Sequence, residues 1–256
     1  MSLSATDYLL WVTGGVLLVL TAGALVKRKL VRELPVFSLY TLFQVLQVFV
    51  LFAVERGWFA TDPRQGYAQY FYSFWLGEAI SFVLGFGVLY ELYCKVFHNY
   101  DAIQQLGGIL FAGAAIVLLV VVTIAAMYSP GSDTPGIIRE VMLLERSLRA
   151  MQCGQVLFLF LLSFYFGVPW QNRAFGIALG YGVFGSIELA AIAVRSHLGA
   201  VAGTAYSQVN SAAYSCGVLI WLCYLWAPEP APQYSGMVLH NDLEKWNQAL
   251  LEILER

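Results

Sequence analysis

Charge is scarce in this chain. Asp, Glu, Lys and Arg together supply 12% of 256 residues, about half the roughly 25% of a soluble domain. With 59% hydrophobic residues and a mean hydropathy of +0.69, a water-soluble globule would expose large apolar patches, so that class is excluded. The net charge of −2 gives no basic surface for nucleic acid. Histidine is equally sparse. His98, His197 and His240 all fall in expected loops or the tail, so haem held by paired intramembrane histidines is excluded. The last apolar stretch has no lysine and cannot carry a retinal Schiff base. Cys94, Cys153, Cys216 and Cys223 sit in apolar stretches or at their ends, with neither zinc-site spacing nor a disulfide framework. GxSxG, HExxH and P-loop patterns are missing too, so no cofactor, metal or catalytic residue is expected. The N-terminal MSLSATDYLL lacks a basic leader and a cleavage site, which reads as a retained span.

Long apolar runs are what the chain has in excess. Seven stretches, near 7–26, 35–54, 70–94, 106–128, 139–168, 174–194 and 206–226, are each long enough to cross a bilayer. Backbone groups in hydrocarbon must bond within their own segment, so each is expected to be a helix. The expected fold is an all-α, seven-transmembrane-helix bundle over residues 1–226, followed by a Pro-rich linker at 227–236 and an amphipathic helix at 237–256. Lys27, Arg28, Lys29 and Arg32 form the strongest charge cluster and place their loop in the cytoplasm. The N-terminus is then outside and the C-terminus inside, in a multi-pass inner (cytoplasmic) membrane protein. Lys95, Arg173, Lys245 and Arg256 fall on the same inner side, and Arg56, Arg64, Arg139 and Arg195 on the outer. Tyr67, Tyr70, Trp170 and Trp226 flank the spans at headgroup level, and Pro35 opens the second where a missing N–H costs least.

Several spans carry groups that lipid disfavours. An ionisable residue in hydrocarbon costs roughly 2.5–3.5 kcal/mol on insertion scales and normally faces protein, water or a partner. Counted from the outer ends, Glu78 in the third span, Glu145 and Arg149 in the fifth and Glu188 in the sixth lie at similar depth. Tyr40, Gln44 and Gln47 share one face of the second span, Glu145, Arg149 and Gln152 one face of the fifth, and Asn210 and Tyr214 are four apart on the seventh. One reading makes Glu145–Arg149 an intrahelical pair and the rest interhelical glue. The other makes the set a water-accessible or ligand-binding cavity open to the outside, or a proton or ion path through Glu78 and Glu188. Gly77, Ser81 and Gly85 form a strip of small residues suited to close helix packing, as do Gly176, Gly180, Gly182 and Gly185. Glu91 near the inner end of the third span reads as snorkelling to the interface.

The tail is the second informative stretch. Pro228, Pro230 and Pro232 stop the last helix and stiffen a linker. Leu239, Leu243, Trp246, Leu250 and Ile253 then recur at coiled-coil spacing. The opposite face carries Asp242, Glu244, Glu252 and Glu255, the wrong sign for anionic lipid, which favours docking to protein, either a partner or another copy of the chain.

With FYSFWLGEAISFVLGFGVLYELY in the third span and LLERSLRAMQCGQ in the fifth, the chain resembles small uncharacterised bacterial proteins with seven transmembrane helices. That resemblance implies the bundle and transfers no chemistry. Two function classes follow from the residues. The first is a non-enzymatic polytopic membrane protein that binds a ligand or partner, as a sensor module or a subunit of a larger membrane complex. The second is a small transporter or ion-coupled carrier using its intramembrane carboxylates. An intramembrane enzyme ranks third, for want of a nucleophile or metal set.

Overall fold

The computed structural model describes residues 5–56, 63–98, 104–109, 113, 116, 120, 134–166, 172–198 and 203–228. Six long helices account for most of them: α1 (Ala5–Lys27), α2 (Pro35–Glu55), α3 (Pro63–Val96), α4 (Thr134–Phe166), α5 (Asn172–Leu198) and α6 (Gly203–Trp226). A short 3-10 turn, Leu30–Arg32, links α1 to α2. No strand occurs among the described residues. All six helices contain a window long and apolar enough to cross a membrane, which marks the chain as a membrane protein. The expected fourth span lies mostly outside the described residues, as does the tail stripe from Leu239 to Ile253. Helices α4, α5 and α6 are therefore the expected fifth, sixth and seventh spans.

Solvation inverts the usual helix pattern. On α2 the outward stripe is Leu39, Leu42, Leu46 and Phe49, apolar and exposed as lipid contact requires, while Tyr40, Thr41 and Gln47 are turned inward. Each helix packs on its neighbours in the order α1 to α6, and α6 closes on α1, so the six form a ring. The tightest seam is α5 against α6. There Trp221 lies over Gly180, donates from Nε1 to the carbonyl oxygen of Ile177 at 3.0 Å, and is almost wholly buried. Tyr224 covers Gly176 in the same way. Helical glycines leave room for the neighbouring aromatic ring, the close packing expected of this run.

One end of the ring gathers the basic residues. Lys29 takes a left-handed backbone (φ 56°) where the chain turns out of α1. Arg28 donates to the Ala227 carbonyl at 3.2 Å, and Lys27 and Arg28 lie over the Trp226 ring. Glu33 accepts from Arg173 at 3.1 Å, and Lys95 donates to the Glu33 carbonyl. Glu91 does something other than snorkel. Its two carboxylate oxygens accept from the N–H groups of Val36 (3.0 Å) and Phe37 (2.9 Å), at the start of α2. Leu34 provides no side-chain cap, and Pro35 has no N–H, so a carboxylate from α3 satisfies the first free donors of α2.

One further boundary differs from expectation. His197 belongs to the last turn of α5 and not to a loop.

Candidate functional site

A cavity of about 210 Å³ opens in the half of the ring away from the basic end. All six helices contribute to its wall: Trp11 from α1, Gln47 from α2, Glu78 from α3, Arg149 from α4, Glu188 from α5 and Asn210 from α6 are examples. Each of these positions lies toward the same end of the ring, the end holding the start of α1, where Gln208 donates to Thr6 Oγ1 at 3.3 Å.

Arg149 is the best-anchored group in the wall. Its Nε pairs with a carboxylate oxygen of Glu188 across α4 and α5, with side-chain exposures of 9% and 2%. Its Nη1 donates to Gln152 Oε1 at 2.9 Å. Phe82 and Phe184 stack on the guanidinium with ring centres 4.7 and 4.8 Å away. A planar, weakly hydrated guanidinium suits such a slot, since rings accept its faces while carboxylate and amide take its edge. The expected Glu145–Arg149 intrahelical pair falls outside what the structure describes. Gln152 and Glu188 supply acceptors deeper in the ring, and the side chain of Glu145 lies outside the described residues.

Small residues make room for the polar side chains. A methyl group on Gly77 would collide with Gln47, and one on Gly85 would lie 2.8 Å from Gln152 Nε2. One on Gly185 would press Cys153 Sγ at 2.8 Å and come within 3.7 Å of Arg149 Cδ. Ser81 donates to Gln47 Oε1 at 3.1 Å between the two α3 glycines. The strip Gly77–Ser81–Gly85 is therefore a row of slots for amides arriving from α2 and α4.

Tyrosines and amides complete the wall. Gln44 donates to the Tyr40 hydroxyl at 2.8 Å. The Tyr40 ring lies 5.6 Å from that of Tyr181, and Tyr181 lies 5.0 Å from Trp221, so the cavity floor joins the apolar core. Tyr214 meets Phe184 edge-on at 5.5 Å. Glu78 is half-buried and lines the same cavity. Asn210 Oδ1 is buried without a hydrogen-bond partner among the described residues.

Of the nine polar residues picked from the sequence, eight line this one cavity: Gln44, Gln47, Glu78, Arg149, Gln152, Glu188, Asn210 and Tyr214; the side chain of the ninth, Glu145, is not among those described. Tyr181 was missed, although Tyr181, Phe184 and Glu188 follow helical spacing on α5 and the pattern was available. Trp11 and Phe82 carry no such signal, because an aromatic residue in an apolar span reads as lipid contact or core. No group of three His, Cys, Asp or Glu residues able to hold a metal ion occurs among the described residues. No protein-family model matches the chain, and neither a curated protein nor a solved structure does.

Proposed function

We propose that the chain is a non-enzymatic seven-helix membrane protein that binds a small ligand in this cavity, as a sensor module or a subunit of a larger membrane complex. The observation behind the reading is the cavity itself. Its wall sets polar side chains among apolar ones, and all six described helices supply it. Groups gathered for interhelical bonding alone would be drawn together until no space remained, since unfilled volume forfeits contacts.

Orientation and span count belong to the same proposal. The basic residues Lys27, Arg28, Lys29 and Arg32 lie at the end of the ring opposite the cavity, so the positive-inside rule turns the cavity outward and that end to the cytoplasm. Helix α3 finishes at the basic end, where Lys95 meets Glu33, and α4 reaches the cavity from its own first half. The chain between them has to cross back, and the apolar run 106–128 is the segment able to do it. The tail stripe Leu239, Leu243, Trp246, Leu250 and Ile253 then sits on the cytoplasmic side as the contact for a protein partner or a second copy. A ligand held among six helices has the leverage to bias their packing, and the inner ends of those helices are where a partner would sense it.

Native mass spectrometry of the intact chain released from mild detergent tests the reading. A small-molecule adduct is expected, and Ser211→Trp, which fills the cavity from α6, should remove it. A bare chain, or an adduct that survives Ser211→Trp, overturns the reading. The carrier alternative draws on Glu78, Arg149 and Glu188 sharing one cavity. Against it, the six described helices run unbroken, whereas many carriers bind at interrupted spans.

A further inference from the structure

Exposed cations and exposed apolar residues share the basic end of the ring. Lys27, Arg28, Lys29 and Arg32 are all exposed, and so are Val26 (62%) and Val31 (40%). The segment that presents them is fixed from below, because Leu30 and Leu34 are almost wholly buried in the core. Lys29 and Arg32 bracket Leu30, so the residue that anchors the 3-10 turn also sets two cations outward. The side chains of Lys29 and Arg32 make no ion pair or hydrogen bond among the described residues. Glu33, the carboxylate of the same segment, is taken by Arg173 at 3.1 Å. Lys27 Nζ lies 5.6 Å from the centre of the Trp226 ring, and tryptophan at a span end belongs at headgroup level.

From this segment a track of lipid-facing surface runs along α1. Gly23, four residues before Lys27 and so on the same face, has open space where a side chain would be. Leu20 and Val16 continue that face, each about half-exposed. Val16 lies roughly 16 Å from Lys27 along the helix axis, about the depth of one leaflet of a roughly 30 Å hydrocarbon layer. Water gives no reason to expose two valines beside four cations, whereas a headgroup layer sets phosphate at one level and hydrocarbon just beneath it. A zwitterionic headgroup would bring its own cation against the lysines, and an anionic one would not. We infer that segment 27–32 holds the phosphate of an anionic phospholipid, with Lys29 and Arg32 as its donors and one acyl chain laid along Gly23, Leu20 and Val16. A soluble phosphate would use the cations but not the valines or the α1 track. The inference stands on this end of the ring alone and does not depend on the cavity.

Native mass spectrometry of the full chain in mild detergent, titrated with phosphatidylglycerol or with phosphatidylcholine of identical acyl chains, reads the preference directly. Each Lys or Arg near an anionic headgroup is worth about fivefold in affinity, so the wild-type chain should hold phosphatidylglycerol at least about tenfold more tightly. Lys29→Gln/Arg32→Gln should bring the two lipids level. Arg56→Gln/Arg195→Gln removes the same charge from the opposite end of the ring and should keep the preference. Equal retention of both lipids by the wild-type chain overturns the site. So does a preference that survives Lys29→Gln/Arg32→Gln, or one lost equally in Arg56→Gln/Arg195→Gln, which would make it a matter of net charge. Displacement of phosphatidylglycerol by millimolar inorganic phosphate would give the segment to soluble anions and overturn the lipid. No retention of phosphatidylglycerol overturns it too, and is the result expected if Asp242, Glu244, Glu252 and Glu255 of the tail held the segment instead. Ser211→Trp, which tests the cavity, leaves this end untouched, so the two readings fail separately.

Discussion

Arg149 on α4 and Glu188 on α5 form an ion pair inside the helix ring, with the guanidinium over the rings of Phe82 and Phe184. Both side chains are at least nine-tenths buried, so neither has water to fall back on when the other is removed. Breaking such a pair from one side costs about 3–5 kcal/mol, because a charge is left buried and unpaired. Arg149→Leu and Glu188→Leu should each lower the melting temperature in detergent sharply, and the double change should recover much of the loss. Additive losses in the double variant would mean that the two groups are stabilised independently.

Glu91 gives a second measurable coupling, between α3 and the first turn of α2. Its carboxylate accepts from two backbone N–H groups that α2 cannot satisfy itself, since Leu34 caps nothing. Removing a capping side chain costs about 0.5–2 kcal/mol, and a shared charged acceptor belongs at the upper end. Glu91→Ala should destabilise the protein by about 2 kcal/mol, with Glu91→Gln intermediate because an amide oxygen retains one acceptor. Hydrogen exchange at Val36 and Phe37 should rise in the alanine variant. An unchanged exchange rate at those two amides would break the capping assignment.

The α5–α6 seam predicts its own sensitivity. A methyl group on Gly180 would run into the Trp221 indole and come within 2.9 Å of the Gly217 carbonyl oxygen. Backbone cannot yield as a flexible side chain does, so the helices must separate and the Trp221–Ile177 hydrogen bond must stretch. Overpacking of this kind typically costs about 1–3 kcal/mol. Gly180→Ala should show that loss in thermal melting, whereas Gly23→Ala, with open space around it, should not. Equal melting temperatures for the two variants would refute the close approach.

The helices were legible because lipid makes the rule one-sided: about 20 apolar residues must become a helix, and the described ends of α2 and α6 fall where the sequence placed them. The polar set was legible for the same reason, as Glu78 and Glu188 stand out against an apolar background. That Glu78, Arg149 and Glu188 share one cavity followed from their common depth, but the particular pairing of Arg149 with Glu188 depends on the approach of α5, which spacing within a single helix does not report. Glu91 shows the same limit, since its role depends on the start of α2 lying beside the end of α3. The uncapped Leu34–Pro35 start was the clue within the sequence, a helix opening in need of an acceptor.

Topology carries the last prediction. Helix α3 ends where Lys95 and Glu33 meet, at the basic end, and α4 enters the ring from the cavity end. Two points on the intervening chain, Asp101 and Gly131, should therefore lie on opposite sides of the membrane, as a crossing by 106–128 demands. The positive-inside rule adds the sign, with Asp101 in the cytoplasm beside Lys95 and Gly131 outside. Reporter fusions at Asp101, at Gly131 and after Arg256 should score inside, outside and inside. If Asp101 and Gly131 scored on the same side, the chain would not cross between them, and the seven-span bundle would be wrong. If all three signs were reversed, the bundle would stand with its cavity facing the cytoplasm, and a ligand would have to come from within the cell.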